Sequence, residues 1–305
     1  MNSTPTALST TTAAVRGSVL DYVELCKLRL VSLVLFTTGI GFVVGWRGEL
    51  GLTWLLMLVH TILGTGLVAG GSMTLNQVME RDVDAIMQRT RHRPLPEGRV
   101  GVGDARVFGL VLSLLGTGYL LLAVNVVAAG LAALTSVVYL GAYTPLKKLT
   151  TLNTIVGAVS GAIPPMVGYA AAAGQLGLPA WLLFGILFVW QIPHFLGIAW
   201  MYRDDYARAG LMMLPVVDRD GQVTARQIVL FSVTLLLVSL LPTLASVAGA
   251  VYLSAALVLG LAFVICGLPL LMHRDRRSAR QVFIASVVYL PLLLVVLMLD
   301  RTAIR

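Results

Sequence analysis

Near residue 80 an otherwise apolar chain carries a concentrated polar cassette, Asn76-Gln77-Val78-Met79-Glu80-Arg81-Asp82-Val83-Asp84, followed by Gln88-Arg89-Thr90-Arg91-His92-Arg93-Pro94-Leu95-Pro96. If the preceding apolar helix runs on through it, Asn76, Glu80 and Asp84 stand at i, i+4 and i+8, stacked within about 80° of one face over roughly 12 Å. One carbonyl and two carboxylates then address one place. Oxygen ligands of this kind suit Mg²⁺, which takes one or two carboxylates from protein and completes its shell with water and phosphate oxygens. Arg89, Arg91 and Arg93 alternate and are stopped by Pro94, so they belong to a loop and offer forks for diphosphate oxygens. Lys27 and Arg29, Lys147 and Lys148, and Arg203 are further cations for that cradle. Asp82 points about 200° away from Glu80 on an ideal helix, which suits pairing with Arg81, Arg89 or another cation better than metal ligation.

A second group lies in Trp190-Gln191-Ile192-Pro193-His194-Phe195 and Arg203-Asp204-Asp205-Tyr206. Pro193 removes a backbone donor just before His194, and a kink there would turn the imidazole toward a cavity. Asp205 falls eleven residues after His194, about 20° away in azimuth, so the two share a side; Asp204 is rotated some 100° from Asp205. Asn153 has the residue type of a helix cap as well as of a polar site member. Tyr143, Trp190, Phe195 and Trp200 are candidates for a pocket wall, although aromatic residues near helix ends also serve as interface anchors.

These groups need an element that carries them, and the composition allows one kind. Hydrophobic residues make up 58% of 305 residues and charged ones only 12%, and the mean hydropathy is +0.89. A soluble domain could not hide that much apolar surface, so the chain is read as an all-α, polytopic membrane protein. Apolar runs mark about nine spans around a central cavity facing the cytoplasm, near 30–46, 52–75, 106–124, 126–143, 153–173, 180–201, 227–247, 249–271 and 281–299. The divisions near Asn125 and Ala248 rest on weakly polar residues. With the N-terminus inside, the inner segments hold nineteen Lys and Arg and the outer ones three, which supports an odd number of spans and an outside C-terminus. The net charge of +8 is thus a topology signal, and no nucleic-acid partner is needed to explain it.

Residues 1–25 are expected to be a disordered cytoplasmic tail, 26–300 a single transmembrane domain and 301–305 a short C-terminal tail. The first apolar run lacks the geometry of a signal peptide, and no Arg-rich presequence is present, so a bacterial inner membrane is the expected location. Cys26 and Cys266 are isolated and form neither a disulfide framework nor a metal pair. Spans 2 and 6 both end in acidic groups, followed by basic loops and a helix pair, which suggests two four-helix repeats converging on one cavity, with span 9 added. Gly64, Gly66, Gly70 and Gly71 permit close helix approach.

Taken together, these motifs resemble the intramembrane (UbiA-type) prenyltransferase superfamily over nearly the whole chain from about residue 25. Its first acidic motif, Asn-x-x-x-Asp-x-x-x-Asp, corresponds to Asn76, Glu80 and Asp84, with Glu80 one methylene longer than the usual Asp. Tyr143-Thr144 with Lys147, Thr150 and Asn153, then Gly161-Ala162-Ile163-Pro164-Pro165, Pro193-His194-Phe195, Asp204-Asp205-Tyr206-Ala207-Arg208-Ala209-Gly210 and Met213-Leu214-Pro215 are similar to the branch that farnesylates protohaem IX. Quinone-directed relatives carry a second Asp-x-x-x-Asp motif, whereas Met201 stands four residues before Asp205 here. The resemblance implies farnesyl diphosphate as donor, protohaem IX as acceptor, haem O as product, and Mg²⁺ held by Asn76, Glu80 and Asp84 with Asp205 as a further ligand. A downstream haem oxidase is the protein partner it suggests. His194 is then expected to orient or ligate the haem, to meet its propionates, or to transfer a proton. Two other readings compete: a prenyltransferase for an aromatic acid or quinone precursor, and a secondary transporter, whose polar groups should gather near the bilayer midplane.

Overall fold

A computed structural model describes residues 17–301, and nine helices among them are long and apolar enough to cross a bilayer. A short α1 (Val19–Leu25) leads into α2 (Leu28–Gly45) and α3 (Leu52–Ile86); α4 (Val102–Ala123) returns alongside α3. The fourth span is α5 (Val126–Val137), which passes through a π-helical turn (Val138–Tyr143) into α6 (Thr144–Leu146). The fifth is α7 (Asn153–Ala162) and α8 (Pro164–Ala173), divided at Ile163 where Pro164 and Pro165 supply no backbone donors. Next come α9 (Leu178–Met201), the short α10 (Arg203–Arg208) and α11 (Leu214–Val217), then α12 (Gln222–Leu244), α13 (Ala250–Gly267) with α14 (Pro269–His273), and α15 (Arg276–Leu299).

The spans fall where the apolar runs place them, with two informative differences. α3 is 35 residues long and overruns its apolar stretch to Ile86, so the polar cassette is helical. The part of the expected tail at residues 19–25 is the helix α1, because Ser18 and Asp21 form a reciprocal capping box and Leu25 is buried. The segments at residues 1–16 and 302–305, expected as tails, lie outside the described residues. The break near Asn125 is real: its side chain accepts from Ala128 N and caps α5.

Without a hydrophobic force between helices in lipid, close association depends on small residues. A Cβ added to Gly168 of α8 would lie 1.8 Å from the Thr38 carbonyl oxygen of α2, and one on Gly41 of α2 would lie 1.9 Å from that of Pro165. Gly64 and Gly71 of α3 meet Leu120, Gly109 and Ser113 of α4 in the same manner. Helices α2, α3, α5, α7, α8 and α9 surround a central cavity, and α15 adds Leu290 to its wall; α4, α12 and α13 contribute none of the lining residues and back the inner helices from outside.

The loop after α3 is held down from two sides. Arg99 pairs with Asp21 and Glu24 of α1 and with Glu97, and donates to the His92 carbonyl. Asp205 of α10 accepts from Gln88 N at 3.0 Å and Arg89 N at 3.4 Å and pairs with Arg208. Burial works against charge on Asp205, but these two N–H groups and the guanidinium outweigh it and hold the carboxyl below its ordinary range.

Gly168→Ala should lower the thermal melting temperature of the detergent-solubilised protein, consistent with about 1–3 kcal/mol for overpacking, whereas Gly39→Ala, whose new Cβ meets only Ile62 at 4.0 Å, should leave it near wild type. Because the folded-state pKa of Asp205 is depressed, its stabilisation is present above the unfolded carboxyl's value and disappears as pH falls through the folded one. Asp205→Asn should therefore melt earlier at pH 7, and the gap from wild type should close below about pH 4; melting curves across that range measure it.

Candidate functional site

The continuous helix through residue 86 puts Asn76, Glu80 and Asp84 on the cavity wall. Each meets a cation from another segment. Lys27, at φ 51° in the left-handed turn between α1 and α2, sends its ammonium to Asn76 Oδ1 at 3.0 Å. Lys147, just past α6, donates to Glu80 Oε1 at 2.7 Å and lies 4.5 Å from the centre of the Tyr143 ring. Arg93 donates from Nη1 to Asp84 Oδ2 at 2.7 Å. Burial, with Arg93 nearby, pulls the Lys27 ammonium down to about 7 against the attraction of Glu80. Burial also opposes charge on Lys147, but Tyr143 and Glu80 overcome it and hold that ammonium above its ordinary value.

The backbone around these groups is fixed by side chains. Asn76 Nδ2 donates to Thr144 Oγ1 at 3.1 Å, and that hydroxyl donates to the Tyr139 carbonyl at 2.8 Å, which ties α3 to the π-helical turn. The turn rotates both Tyr139 and Tyr143 to the cavity, with ring centroids 5.5 Å apart. Thr90 Oγ1 donates to the Asp84 carbonyl and closes the loop over the end of α3.

Beyond this charged end the cavity, about 360 Å³, continues as a mainly apolar groove past Leu33, Val34, Val68 and Val167 to Thr65. Glu80 and Thr65 are fifteen residues apart on α3, about 22 Å along the helix. On the opposite wall His194 Nδ1 lies 2.7 Å from Ser286 Oγ, and that hydroxyl lies 2.6 Å from the Phe283 carbonyl. Its one proton goes to the carbonyl, so Nδ1 carries the imidazole hydrogen and Nε2 keeps a lone pair. Trp190 stacks on the ring at 4.7 Å, and its Nε1 donates to the Ser286 carbonyl.

Arg89, Arg93, Tyr143, Trp190 and Phe195 reach the cavity as the sequence suggested. Several other candidates do not. Asp205, expected as a metal ligand, is absent from the lining because its oxygens are committed to the Gln88–Arg89 turn and Arg208. Asn153 donates to the Thr150 and Met212 carbonyls and braces the segment before α11. Asp82 is exposed and pairs with Arg81; Asp204 is exposed and pairs with Arg203, whose guanidinium also covers the Trp200 ring. Arg29, Lys148 and Arg91 are outside the cavity, with Arg91 Nε donating to His92. Trp200 is outside as well, packed beneath Gly221. Thr144 and Tyr206 were quoted only as members of motifs, with no role given, and Tyr139 and Ser286 were not anticipated. Tyr139 stands four residues before Tyr143, while Ser286 has no local signal because its partner is 92 residues away.

The donor set can be tested against Mg²⁺. No group of three or more His, Cys, Asp or Glu suited to a metal occurs among the described residues. Two carboxylates and one amide carbonyl share a wall with four cations, Lys27, Arg89, Arg93 and Lys147. That is too few ligands for an all-protein cage, but it suits a cation that takes its remaining oxygens from diphosphate and water.

Similarities to known proteins agree with this chemistry. The chain is 50% identical over 287 residues to a protoheme IX farnesyltransferase of Solibacter usitatus, covering 92% of this chain and 98% of that protein. It is 47% identical to one from Koribacter versatilis, across 99% and 100% of the two chains. Among solved structures, one reported for the biosynthesis of digeranylgeranylglyceryl phosphate synthase in membranes superposes with a TM-score of 0.77 at 17% identity, covering 92% of this chain and 98% of that one. A UbiA homolog from Archaeoglobus fulgidus bound to DMAPP and Mg²⁺ gives 0.68 at 16% identity, covering 91% and 99%. The sequence pattern of the UbiA prenyltransferase family matches residues 34–293, and a multi-pass helical chain that carries it over that length, with this oxygen-and-cation cavity at its centre, belongs to that family.

Proposed function

We infer that this chain transfers the farnesyl group of farnesyl diphosphate to a vinyl group of protohaem IX, releasing diphosphate and giving haem O. The observation that carries this reading is the continuity of one cavity, which runs about 22 Å along α3 from Glu80 to Thr65: a charged end, an apolar groove, and His194 between aromatic rings. The near full-length relatives named protoheme IX farnesyltransferase support the same donor and acceptor.

Asn76, Glu80 and Asp84 would hold Mg²⁺, which when bound neutralises the diphosphate and improves it as a leaving group. Lys27, Lys147, Arg89 and Arg93 bind diphosphate oxygens and stabilise the negative charge that develops as the C1–O bond breaks. Lys147 and Arg93, paired with Glu80 and Asp84 in the structure, stay compensated when phosphate replaces those carboxylates as their partner. Tyr139 and Tyr143 present ring faces beside the charged end, where they favour an allylic cation. The apolar groove binds the isoprenoid and keeps water from C1 until the terminal vinyl carbon has bonded to it. Positive charge then lies on the vinyl carbon next to the porphyrin. Water adds there, and His194 Nε2 accepts the proton that leaves, giving the hydroxyethylfarnesyl side chain.

The same reading places the charged end at the cytoplasmic face of a bacterial inner membrane, on the weight of Lys and Arg in the alternate connections. A transporter is not supported: the acidic and basic cavity residues Lys27, Glu80, Asp84, Arg89, Arg93 and Lys147 lie at helix ends and in connections, away from a midplane site.

Protein in lipid nanodiscs, supplied with farnesyl diphosphate, Mg²⁺ and either protohaem or 4-hydroxybenzoate, separates the two acceptor classes by product mass. Protohaem should gain a farnesyl group and a hydroxyl group; prenylated 4-hydroxybenzoate with unchanged protohaem would overturn the assignment. Asp84→Asn should lower kcat for haem O formation about a hundredfold and raise the Mg²⁺ concentration needed for half-maximal rate. A wild-type rate with unaltered Mg²⁺ dependence would remove Asp84 from the ligand set.

A further inference from the structure

A second cleft lies where α9 ends against the start of α15. Arg276, Arg277 and Arg280 line it, with Met201, Tyr202 and Phe283. All three arginines are exposed, and none has a carboxylate within ion-pair distance among the described residues, whereas Arg93, Arg99, Arg203 and Arg208 all do. The nearby Asp275 is occupied in capping α15 through Ser278 N. On a helix, Arg276, Arg280 and Phe283 fall within about 60° of one face. Like charges at i and i+4 repel, so the chain holds uncompensated cations together beside apolar and aromatic surface. A general excess of basic residues at this end of the bundle explains their number but not that convergence.

Phe283 stands between this cleft and the active-site cavity. It forms part of the cleft wall, and its ring centroid is 5.3 Å from that of His194, which lines the cavity. Ser286, the hydrogen-bond partner of His194, is six residues beyond Arg280, about 9 Å along α15. A ligand fitting both ends would be flat and apolar, with two anionic groups on one edge and its reactive groups on the opposite edge. Protohaem IX has that form: two propionates on one side of the macrocycle and two vinyl groups on the other.

We infer that Arg276, Arg277 and Arg280 bind the propionates of the acceptor porphyrin in the cleft where α9 ends against the start of α15, aiming its vinyl edge past Phe283 toward His194 and the farnesyl C1. This rests on protohaem being the acceptor. Guanidinium forks suit carboxylates, which they pair bidentately, and they are weakly hydrated. Tyr202 and Phe283 offer rings to the macrocycle. The arginines are then positioning residues, and His194 needs no contact with the propionates.

The test uses the full chain in phosphatidylcholine nanodiscs with the triple variant Arg276→Gln, Arg277→Gln, Arg280→Gln, and Arg274→Gln as a control, since Arg274 instead donates to the Asp220 carbonyl. The triple variant should raise KM for protohaem tenfold or more while KM for farnesyl diphosphate stays within twofold, and Arg274→Gln should match wild type. Protohaem dimethyl ester should show the raised KM with wild-type protein and no further increase with the variant. An unchanged KM for protohaem in the triple variant overturns the inference. So does a defect that persists in full on the ester, or one that appears only when phosphatidylglycerol is included, since the arginines would then be serving structure or lipid headgroups. Failure of wild-type protein to farnesylate protohaem at all would instead sink the acceptor assignment. If the triple variant does not fold, Arg280→Gln alone, read by the same KM ratio and by quenching of tryptophan fluorescence with metal-free protoporphyrin, decides the matter.

Discussion

Charge compensation inside a membrane-embedded cavity is the constraint on which the rest of this structure depends. Glu80 and Asp84 are buried or nearly so, and an uncompensated carboxylate there would be expensive. The protein answers with Lys147 for Glu80 and Arg93 for Asp84, while Lys27 donates to the neutral amide oxygen of Asn76 beside them. These cations come from three different connections, before α2, after α6 and after α3. The site therefore exists only where the bundle brings these connections together. The same alternation suits a metal diphosphate, in which negative phosphate and positive metal can exchange partners with the protein groups.

Several irregular features become intelligible as means of delivering those charges. The left-handed backbone at Lys27 turns the chain between α1 and α2, where an uninterrupted helix would carry the ammonium elsewhere. The π-helical turn at Val138–Tyr143 inserts a register change in the fourth span and presents Tyr139 and Tyr143 together. Pro164 and Pro165 divide the fifth span, and both halves border the cavity. The regular part of the bundle does different work. Close glycine-mediated crossings of α2 with α8 and of α3 with α4 form a stiff frame around the isoprenoid groove. Irregular backbone is concentrated at the charged end, where neighbouring side chains and the cavity can satisfy freed polar groups.

In the proposed reaction the two sides of the cavity have different parts. α3 and the turns that face it would handle the diphosphate, while α9 and α15 would present His194, Ser286 and their aromatic surround to the acceptor. Asp205 links these halves indirectly: it sits on α10, immediately after α9, and holds the Gln88–Arg89 turn from which Arg89 enters the cavity. The two acidic helix ends noted in the sequence do converge, but the second one braces the loop of the first.

Properties carried by one helix could be read from residue order alone. The i, i+4, i+8 spacing of Asn76, Glu80 and Asp84 fixes a shared face once α3 continues, and apolar runs with basic connections define nine spans because a bilayer sets both length and charge placement. Family resemblance supplied the chemistry those residues serve. Pro193 pointed to a cavity at His194, and His194 lines one, whereas the azimuth that set Asp205 on the same side assumed a continuous helix, and α9 ends at Met201 before the chain turns into α10. The pairing of Lys27 with Asn76, the tautomer imposed on His194 by Ser286, and the meeting of α9 with the arginines of α15 were decided by tertiary structure. Each joins segments from 49 to 92 residues apart or more, and no local periodicity encodes which distant surface a side chain will meet.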